Sequence, residues 1–256
     1  MATPCPVDEC TLSIDIILRS SDGKRLGSHT KNLEVFNTAF PSANIVSHDP
    51  EDVIDLSEDG DLLELLLRFS HNREFPDLST LRIHDVLTFE RTADKYGNSF
   101  AGLACKEAIH TLAQRTPEAA LQSIPYKILH SDMRDIDMIV RSTMEFSTRQ
   151  VVNELKYSTP RAICTYMLYK TQWEDQLRSF KTTLEDMEPS TKIERESIAT
   201  LKSLLAFSPS MPAFEFAMDY CRSQNKFRFV NFGLSIGKIR QALNGLPRWE
   251  EIYNTV

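Results

Sequence analysis

Short apolar runs near the beginning of the chain predict a small sheet. Residues 14–18 form a compact apolar run with one acid, Asp15, a pattern typical of a largely buried strand. A turn follows, in which Gly23 can adopt positive φ at little steric cost. Residues 24–29 are then expected to return as the second strand of a hairpin. Residues 53–56 predict a third strand.

Helical spacing of apolar residues predicts helices around these strands. Leu33, Phe36 and Phe40 recur on one face of the first helix, which we expect to end before Pro41. Ser57 is expected to cap the next helix, because a serine side chain can accept a hydrogen bond from the first helical turn. That helix is rich enough in leucine for burial on more than one side. Its apolar residues are Leu62, Leu63, Leu65, Leu66, Leu67 and Phe69.

Two further helices complete the predicted first domain. One is expected to end at Tyr96, since Gly97 stands where a helix commonly stops. The other is predicted from about residue 100 to residue 113. Its expected inward residues are Leu103, Ala104, Ala108 and Leu112.

The second half of the chain has an almost wholly helical pattern. Thr116-Pro117-Glu118 predicts a new helix, because it combines a capping residue, a proline at the first helical position and an acid. A long helix is expected to begin at Thr159-Pro160. Its apolar side includes Tyr166 and Trp173, for which core packing is a better explanation than partner binding. Residues 226–232 alternate basic and aromatic side chains and predict a short strand.

Composition and charge narrow the class of partner. The chain has 256 residues, of which 41% are hydrophobic and 25% charged, so it can form one large domain or two smaller ones. The formal net charge of -7 argues against nucleic acid, because phosphate binding needs a concentrated basic face. Lys226, Arg228 and Lys238 lie among phenylalanines and superficially resemble such a face. A half-buried strand with its charges in water is the favoured interpretation.

The cysteines and the first residues indicate the compartment. Five cysteines, an odd number, favour reduced thiols over a disulfide framework. The first residues lack a basic stretch followed by an apolar core, so we expect no signal peptide. No run approaches the ~18 uninterrupted apolar residues of a membrane helix. We therefore expect an intracellular protein of the cytoplasm or nucleus that does not enter a membrane.

The sequence contains no recognisable catalytic motif. It has no nucleophile elbow, phosphate-binding glycine loop or metalloprotease helix, so we expect neither an enzyme nor a cofactor. Cys5 and Cys10 with a distant His29 resemble half of a zinc site, but no second pair is recognisable and we predict no bound metal. His29 is interpreted as structural. The alternative is an enzyme with its site in the helical half. Its carboxylates would come from Glu145, Glu154, Glu174 and Asp175.

Several of these segments, in this order and at this spacing, resemble a BTB/POZ domain. They include an acid before the first strand, the hairpin turn, a histidine before the first helix and the strand-to-helix step. The matching residues are Asp15, Ser21-Asp22-Gly23, His29, residues 53–59, the leucine-rich helix with Leu66 in its core, and Ala93-Asp94-Lys95-Tyr96. The chain as a whole looks most like the single-BTB proteins of mushroom-forming fungi.

The resemblance implies an α+β domain over residues 14–115, after a tail of residues 1–13. An α-helical extension with one short strand is expected over residues 116–256. The resemblance also implies a non-catalytic interaction module, a scaffold or regulatory protein that forms a homodimer through its first domain. The expected interaction residues are Leu33, Phe36, Phe40, His71, Asn72 and Phe75.

A second hypothesis is a substrate adaptor of a cullin-based ubiquitin ligase. Some BTB proteins offer the surface near the loop after the leucine-rich helix to a cullin. This loop is Ser70-His71-Asn72 here, where the family often has Tyr-Thr-Gly or a similar sequence. Cullin binding therefore does not follow from the resemblance alone. Both hypotheses predict protein partners.

Overall fold

The chain folds as two compact units. A computed structural model describes residues 4–40, 53–186, 192–205, 210–223 and 236–256. The first unit spans residues 1–126 and the second residues 127–256. All strands of the described residues lie in the first unit, so the fold is α+β with a helical second unit, as predicted. The first unit extends past residue 115, because Tyr126 is buried in its apolar core.

A three-stranded sheet holds the first unit together. Its strands are β1 (Ile16–Arg19), β2 (Arg25–Ser28) and β3 (Val53–Asp55), in the order β2-β1-β3. β1 pairs antiparallel with β2 and parallel with β3. Gly23 has a φ of 85° in the hairpin turn, as expected for glycine. Asp22 accepts a hydrogen bond of 3.0 Å from the Gly60 amide, which ties this turn to the helix after β3.

Five helices accompany the sheet. They are α1 (Thr30–Phe36), α2 (Gly60–Arg68), α3 (Ile83–Tyr96), α4 (Ser99–Ala113) and α5 (Pro117–Leu129). Asp15 anchors the beginning of α1, since its carboxylate accepts from the backbone amide of Thr30 at 2.8 Å and from the Thr30 hydroxyl at 2.7 Å. The cap of α2 is Asp59 and not the predicted Ser57. The Asp59 side chain accepts from the Leu62 amide, whereas the Ser57 hydroxyl accepts from Lys95.

Helix α2 is buried on both sides, as its leucine pattern predicts. Leu63 and Leu67 belong to an apolar cluster beneath the sheet. Leu66 belongs to a second cluster between α2, α3 and α4. The two clusters meet at this helix, so most of the first unit depends on it.

Two sequence expectations in this unit are wrong in detail. Leu103 is 63% exposed and does not point inward, because Ala101, Cys105 and Ala108 occupy the buried face of α4. Phe40 lies beyond the end of α1 and stacks on Tyr96 with 5.2 Å between ring centroids.

The second unit is helical throughout its described residues. Its helices are α6 (Ile136–Ser142), α7 (Thr148–Leu155), α8 (Pro160–Glu185), α9 (Lys192–Leu204), α10 (Met211–Ser223), α11 (Ile236–Asn244) and α12 (Trp249–Thr255). Thr159 caps α8 as predicted, and both Tyr166 and Trp173 are buried. The sequence pattern missed α12, whose Trp249 is fully buried near Tyr166. The strand predicted at residues 226–232 lies outside the described residues.

No helix among the described residues combines the length and apolar character that a membrane crossing requires.

Two glycine-to-alanine variants test the backbone geometry at the end of α3. Gly97 has a φ of 67°, and an added Cβ would come within 1.9 Å of the Thr38 hydroxyl oxygen. We expect Gly97→Ala to lower the free energy of unfolding by more than about 1 kcal/mol, from left-handed strain plus this clash. Gly102→Ala in α4 meets no atom within 4 Å and is expected to be neutral or to stabilise by about 0.5–1 kcal/mol. Urea unfolding compares the two. If both variants lost the same free energy of unfolding, the strained, closely packed backbone at Gly97 would be contradicted.

A second pair of variants tests the double burial of α2. Leu66→Asp places an unpaired carboxylate in the core, which costs several kcal/mol, and we expect it to abolish cooperative unfolding. Leu129→Asp lies at the exposed end of α5, outside both apolar clusters, and is expected to unfold like the parent. Thermal melting followed by circular dichroism measures both. A soluble Leu66→Asp protein with a cooperative melt would contradict the burial of this helix.

Candidate functional site

The residues predicted to bind partners lie in different environments. Phe75 is exposed and Phe36 half-buried, both at the surface of the first unit. Leu33 is buried in the core beneath the sheet, so its side chain serves the fold. Asn72 is exposed, whereas His71 beside it is only 4% exposed. The structure thus brings Phe36 and Phe75 to one surface and turns His71 away from solvent.

Phe100, which the sequence analysis did not select, joins those two phenylalanines. Its ring centroid lies 5.8 Å from that of Phe36 and 5.7 Å from that of Phe75. Val35 precedes Phe36 on α1, and Leu103 follows Phe100 by one turn of α4. Both are exposed, as is half of Phe100. We call these five residues the aromatic surface.

The aromatic surface rests on rings of the core. Phe75 stacks on the fully buried Phe69 at 5.0 Å, and Phe69 contacts Phe89 of α3 at 5.6 Å. A continuous series of ring contacts therefore runs from the core to Phe36. Such support holds the exposed rings in place before any partner arrives, which reduces the entropy lost on binding.

A buried polar network positions the two helices that carry this surface. Asn37, directly after α1, donates to the Ser70 hydroxyl at 2.9 Å. Asn98 donates to the Asn37 side-chain oxygen at 3.0 Å and caps α4 by accepting from the Ala101 amide at 2.9 Å. Ser70 donates to the Leu66 carbonyl at 2.8 Å, which ties the network to α2. Because buried amides need partners, these bonds specify how α1, α2 and α4 meet.

A second constellation lies elsewhere in the first unit. One ligand-type atom from each of Cys5, Cys10, His29 and His71 lies within 4.8 Å of the other three. The Cys10 sulfur is 3.2 Å from Nε2 of His29 and 3.6 Å from Nε2 of His71. The Cys5 sulfur is 3.5 Å from Nε2 of His71. Both histidines are buried and both cysteines are half-buried.

Backbone carbonyls orient the two imidazole rings. Nδ1 of His29 lies 2.8 Å from the Ser13 carbonyl oxygen, and Nδ1 of His71 lies 2.7 Å from that of Leu67. A carbonyl can only accept, so each Nδ1 carries the proton. In the neutral ring Nε2 then has the free lone pair, and both Nε2 atoms face the cysteine sulfurs.

Burial acts on two members of this cluster. It raises the pKa of the Cys5 thiol to about 11, and the neighbouring Cys10 contributes in the same direction. Burial also lowers the pKa of His71. Burial therefore favours the neutral forms of Cys5 and His71.

The sequence analysis found three of these four residues and predicted no metal, because a second ligand pair was not recognisable. His71 completes the pair with His29, and its distance along the chain hid it. The sequence pattern instead places His71 in an interaction loop. The one local signal was a histidine directly after the leucine-rich helix, where the BTB resemblance breaks down.

The four acidic residues considered as catalytic carboxylates do not lie together in the second unit. Glu145 and Glu174 line one cleft of about 290 Å³, together with Lys170 and Ser210. Glu174 forms an ion pair of 3.2 Å with Lys170. Asp175 pairs with Arg178, and Glu154 is exposed away from the cleft. The described residues that line the cleft include no histidine or cysteine.

No protein-family model matches the chain, and neither does any curated protein or solved structure.

Proposed function

We propose that this chain is a non-catalytic protein-interaction module that associates with a second copy of itself through the aromatic surface. The observation that carries this proposal is the exposure of clustered rings on a rigid support. Phe75 and Phe100 are at the surface, yet they are held by contacts that continue into the core. Clustered apolar side chains on a soluble surface mark interaction sites.

The aromatic surface is a place where two like-charged copies can approach at low electrostatic cost. Two copies each carry a formal net charge of -7 and repel one another at a distance. Close approach is therefore least costly where no ionised side chain is buried. All five residues of the aromatic surface are uncharged, and an apolar patch is complementary to itself across a two-fold axis.

The size of the aromatic surface suits the centre of an interface. A stable interface buries about 1,200–2,000 Å² in total, more than five side chains supply. Binding energy usually concentrates in a few central aromatic residues surrounded by weaker contacts. Phe75 and Phe100 fit that central role.

The resemblance to BTB/POZ domains supports the same proposal. The resemblance rests on a hairpin, a helix, a third strand, a leucine-rich helix and a helical pair, and the first unit has its elements in that order. In that family part of the first helix lies at the dimer interface. Val35 and Phe36 belong to α1 here. A scaffold of this kind acts by bringing copies and their bound partners together.

A cullin adaptor is the second candidate function. The observation that favours it is the exposure of Asn72. This residue is exposed directly after α2, in the loop that the resemblance relates to cullin binding. His71 is buried in the cysteine–histidine cluster and does not present its ring to a partner. The loop therefore exposes fewer side chains for cullin binding than the sequence pattern suggests.

Light scattering of the purified chain across a concentration series tests self-association. We expect the mass to rise from the monomer value of 29.3 kDa toward twice that value. Leu103→Asp and Phe100→Asp are expected to weaken the dimer at least about tenfold, since each buries a charge at the interface centre. Tyr157→Asp is a matched control, because Tyr157 is exposed in the second unit.

The same measurement with an added cullin N-terminal fragment separates the two candidates. A dimer that ignores the fragment supports the scaffold, and a stable complex with the fragment supports the adaptor. A parent that stays monomeric at all concentrations would overturn self-association. So would Leu103→Asp and Phe100→Asp proteins that dimerise like the control while melting like the parent.

A further inference from the structure

We infer that Cys5, Cys10, His29 and His71 form a closed, tetrahedral Zn²⁺ site that fastens residues 4–13 to the first unit. The inference rests on the geometry of these four residues and does not depend on self-association.

The distances within the cluster match those around a zinc ion. Zinc binds cysteine sulfur at about 2.3 Å and histidine nitrogen at about 2.0–2.1 Å, so tetrahedral angles place sulfur and nitrogen about 3.5 Å apart. Three of the four sulfur–nitrogen pairs lie at 3.2, 3.5 and 3.6 Å. They involve both cysteines and both histidines. All four ligand atoms lie within 4.8 Å of one another, close enough to share one ion.

The groups behind the ligands also match a metal site. Metal-binding histidines usually donate their second ring N–H to a carbonyl or carboxylate, which sets the tautomer. His29 and His71 both do so, to the Ser13 and Leu67 carbonyls. Each ring thus presents Nε2 to the cysteine sulfurs.

Simple hydrogen bonds between thiols and imidazoles explain this arrangement less well. Two S–H groups could satisfy two Nε2 atoms as two separate pairs. Both pairs are present, Cys10 with His29 and Cys5 with His71, but the Cys10 sulfur also lies 3.6 Å from Nε2 of His71, and the two ring centroids are only 5.2 Å apart. Two lone pairs that converge without a shared cation repel each other. A divalent cation between them removes that repulsion and is a natural partner for cysteine thiolates.

The ligand set selects zinc and a structural role. Two sulfurs and two nitrogens in tetrahedral array are a usual zinc set, whereas magnesium and calcium prefer oxygen ligands. Four protein ligands leave no position for water or substrate, which is typical of structural sites. The burial of both histidines also limits the access of solvent to the ion.

The site would cross-link three parts of the first unit. Cys5 and Cys10 belong to a segment without helix or strand. His29 stands between β2 and α1, and His71 follows α2 by a few residues. The residues interpreted from sequence as a free tail are otherwise held by a small number of contacts. Examples are the 3.1 Å hydrogen bonds from Gly27 to Pro4 and from Arg73 to Glu9.

Metal analysis of the full chain, purified without a polyhistidine tag, tests the inference. We expect about one zinc ion per chain in the parent, as a closed four-ligand site requires. Cys5→Ser and Cys10→Ser are expected to lose it, with Zn²⁺ affinity lowered at least about 100-fold, since even changes behind the ligands can cost that much. Cys164→Ser is the matched control, because Cys164 is free, exposed and outside the cluster. It should keep the zinc.

Replacement of zinc by Co²⁺ gives a readout that does not depend on the stability of the variants. The Co²⁺ form of the parent should show a sulfur-to-cobalt charge-transfer band and the strong visible bands of tetrahedral cobalt. Removal of the metal by a chelator should increase amide exchange within residues 4–13, and added Zn²⁺ but not Mg²⁺ should reverse this change.

Three results would overturn the zinc site. They are a parent that binds neither Zn²⁺ nor Co²⁺, zinc retained equally by all three serine variants, and a Co²⁺ spectrum without thiolate bands. Because a metal-free parent could still dimerise, and a zinc-bound parent could stay monomeric, the outcomes here and for self-association are distinguishable.

Discussion

The burial of α2 on both sides is the interaction on which the first unit depends. Leu63 and Leu67 pack beneath the sheet, while Leu66 packs between α3 and α4. A helix that serves two cores at once fixes the sheet and the helical cluster relative to each other, because close packing leaves little room for adjustment. The hydrogen bond between Asp22 and Gly60 adds a polar restraint at the beginning of the same helix.

The end of this helix places three consecutive residues in three different roles. Phe69 supports the exposed rings, since Phe75 stacks directly on it. Ser70 accepts from Asn37 and so helps to hold α1. His71 turns toward the cysteines of the first segment. The proposed interaction surface and the proposed zinc site thus share one rigid support, although neither contributes a ligand or a ring to the other.

The segment that contains the cysteines is linked to the beginning of α1. His29 directly precedes α1, and Asp15 anchors the same helix end through Thr30. A metal ion bound to His29 would add to that anchor. Helix α1 carries Val35 and Phe36, so order in the first segment and order in the aromatic surface have a common structural basis. The two proposals concern different chemistry but the same small set of elements.

The sequence alone determined the local elements of this protein. Gly23 forms the hairpin turn and Gly97 ends α3, each with positive φ, and Thr159-Pro160 begins a helix. The leucine pattern of α2 predicts its burial on two sides. Each of these rests on interactions between residues a few positions apart. The tertiary structure decided which faces stay uncovered and which distant side chains meet. It exposed Leu103 and Phe100, and it brought His71 to Cys5 and Cys10. Periodicity reveals an apolar face but not the neighbour that covers it. The four-residue cluster forms only in the folded unit, because the packing of α2 places His71 beside residues that are distant in sequence.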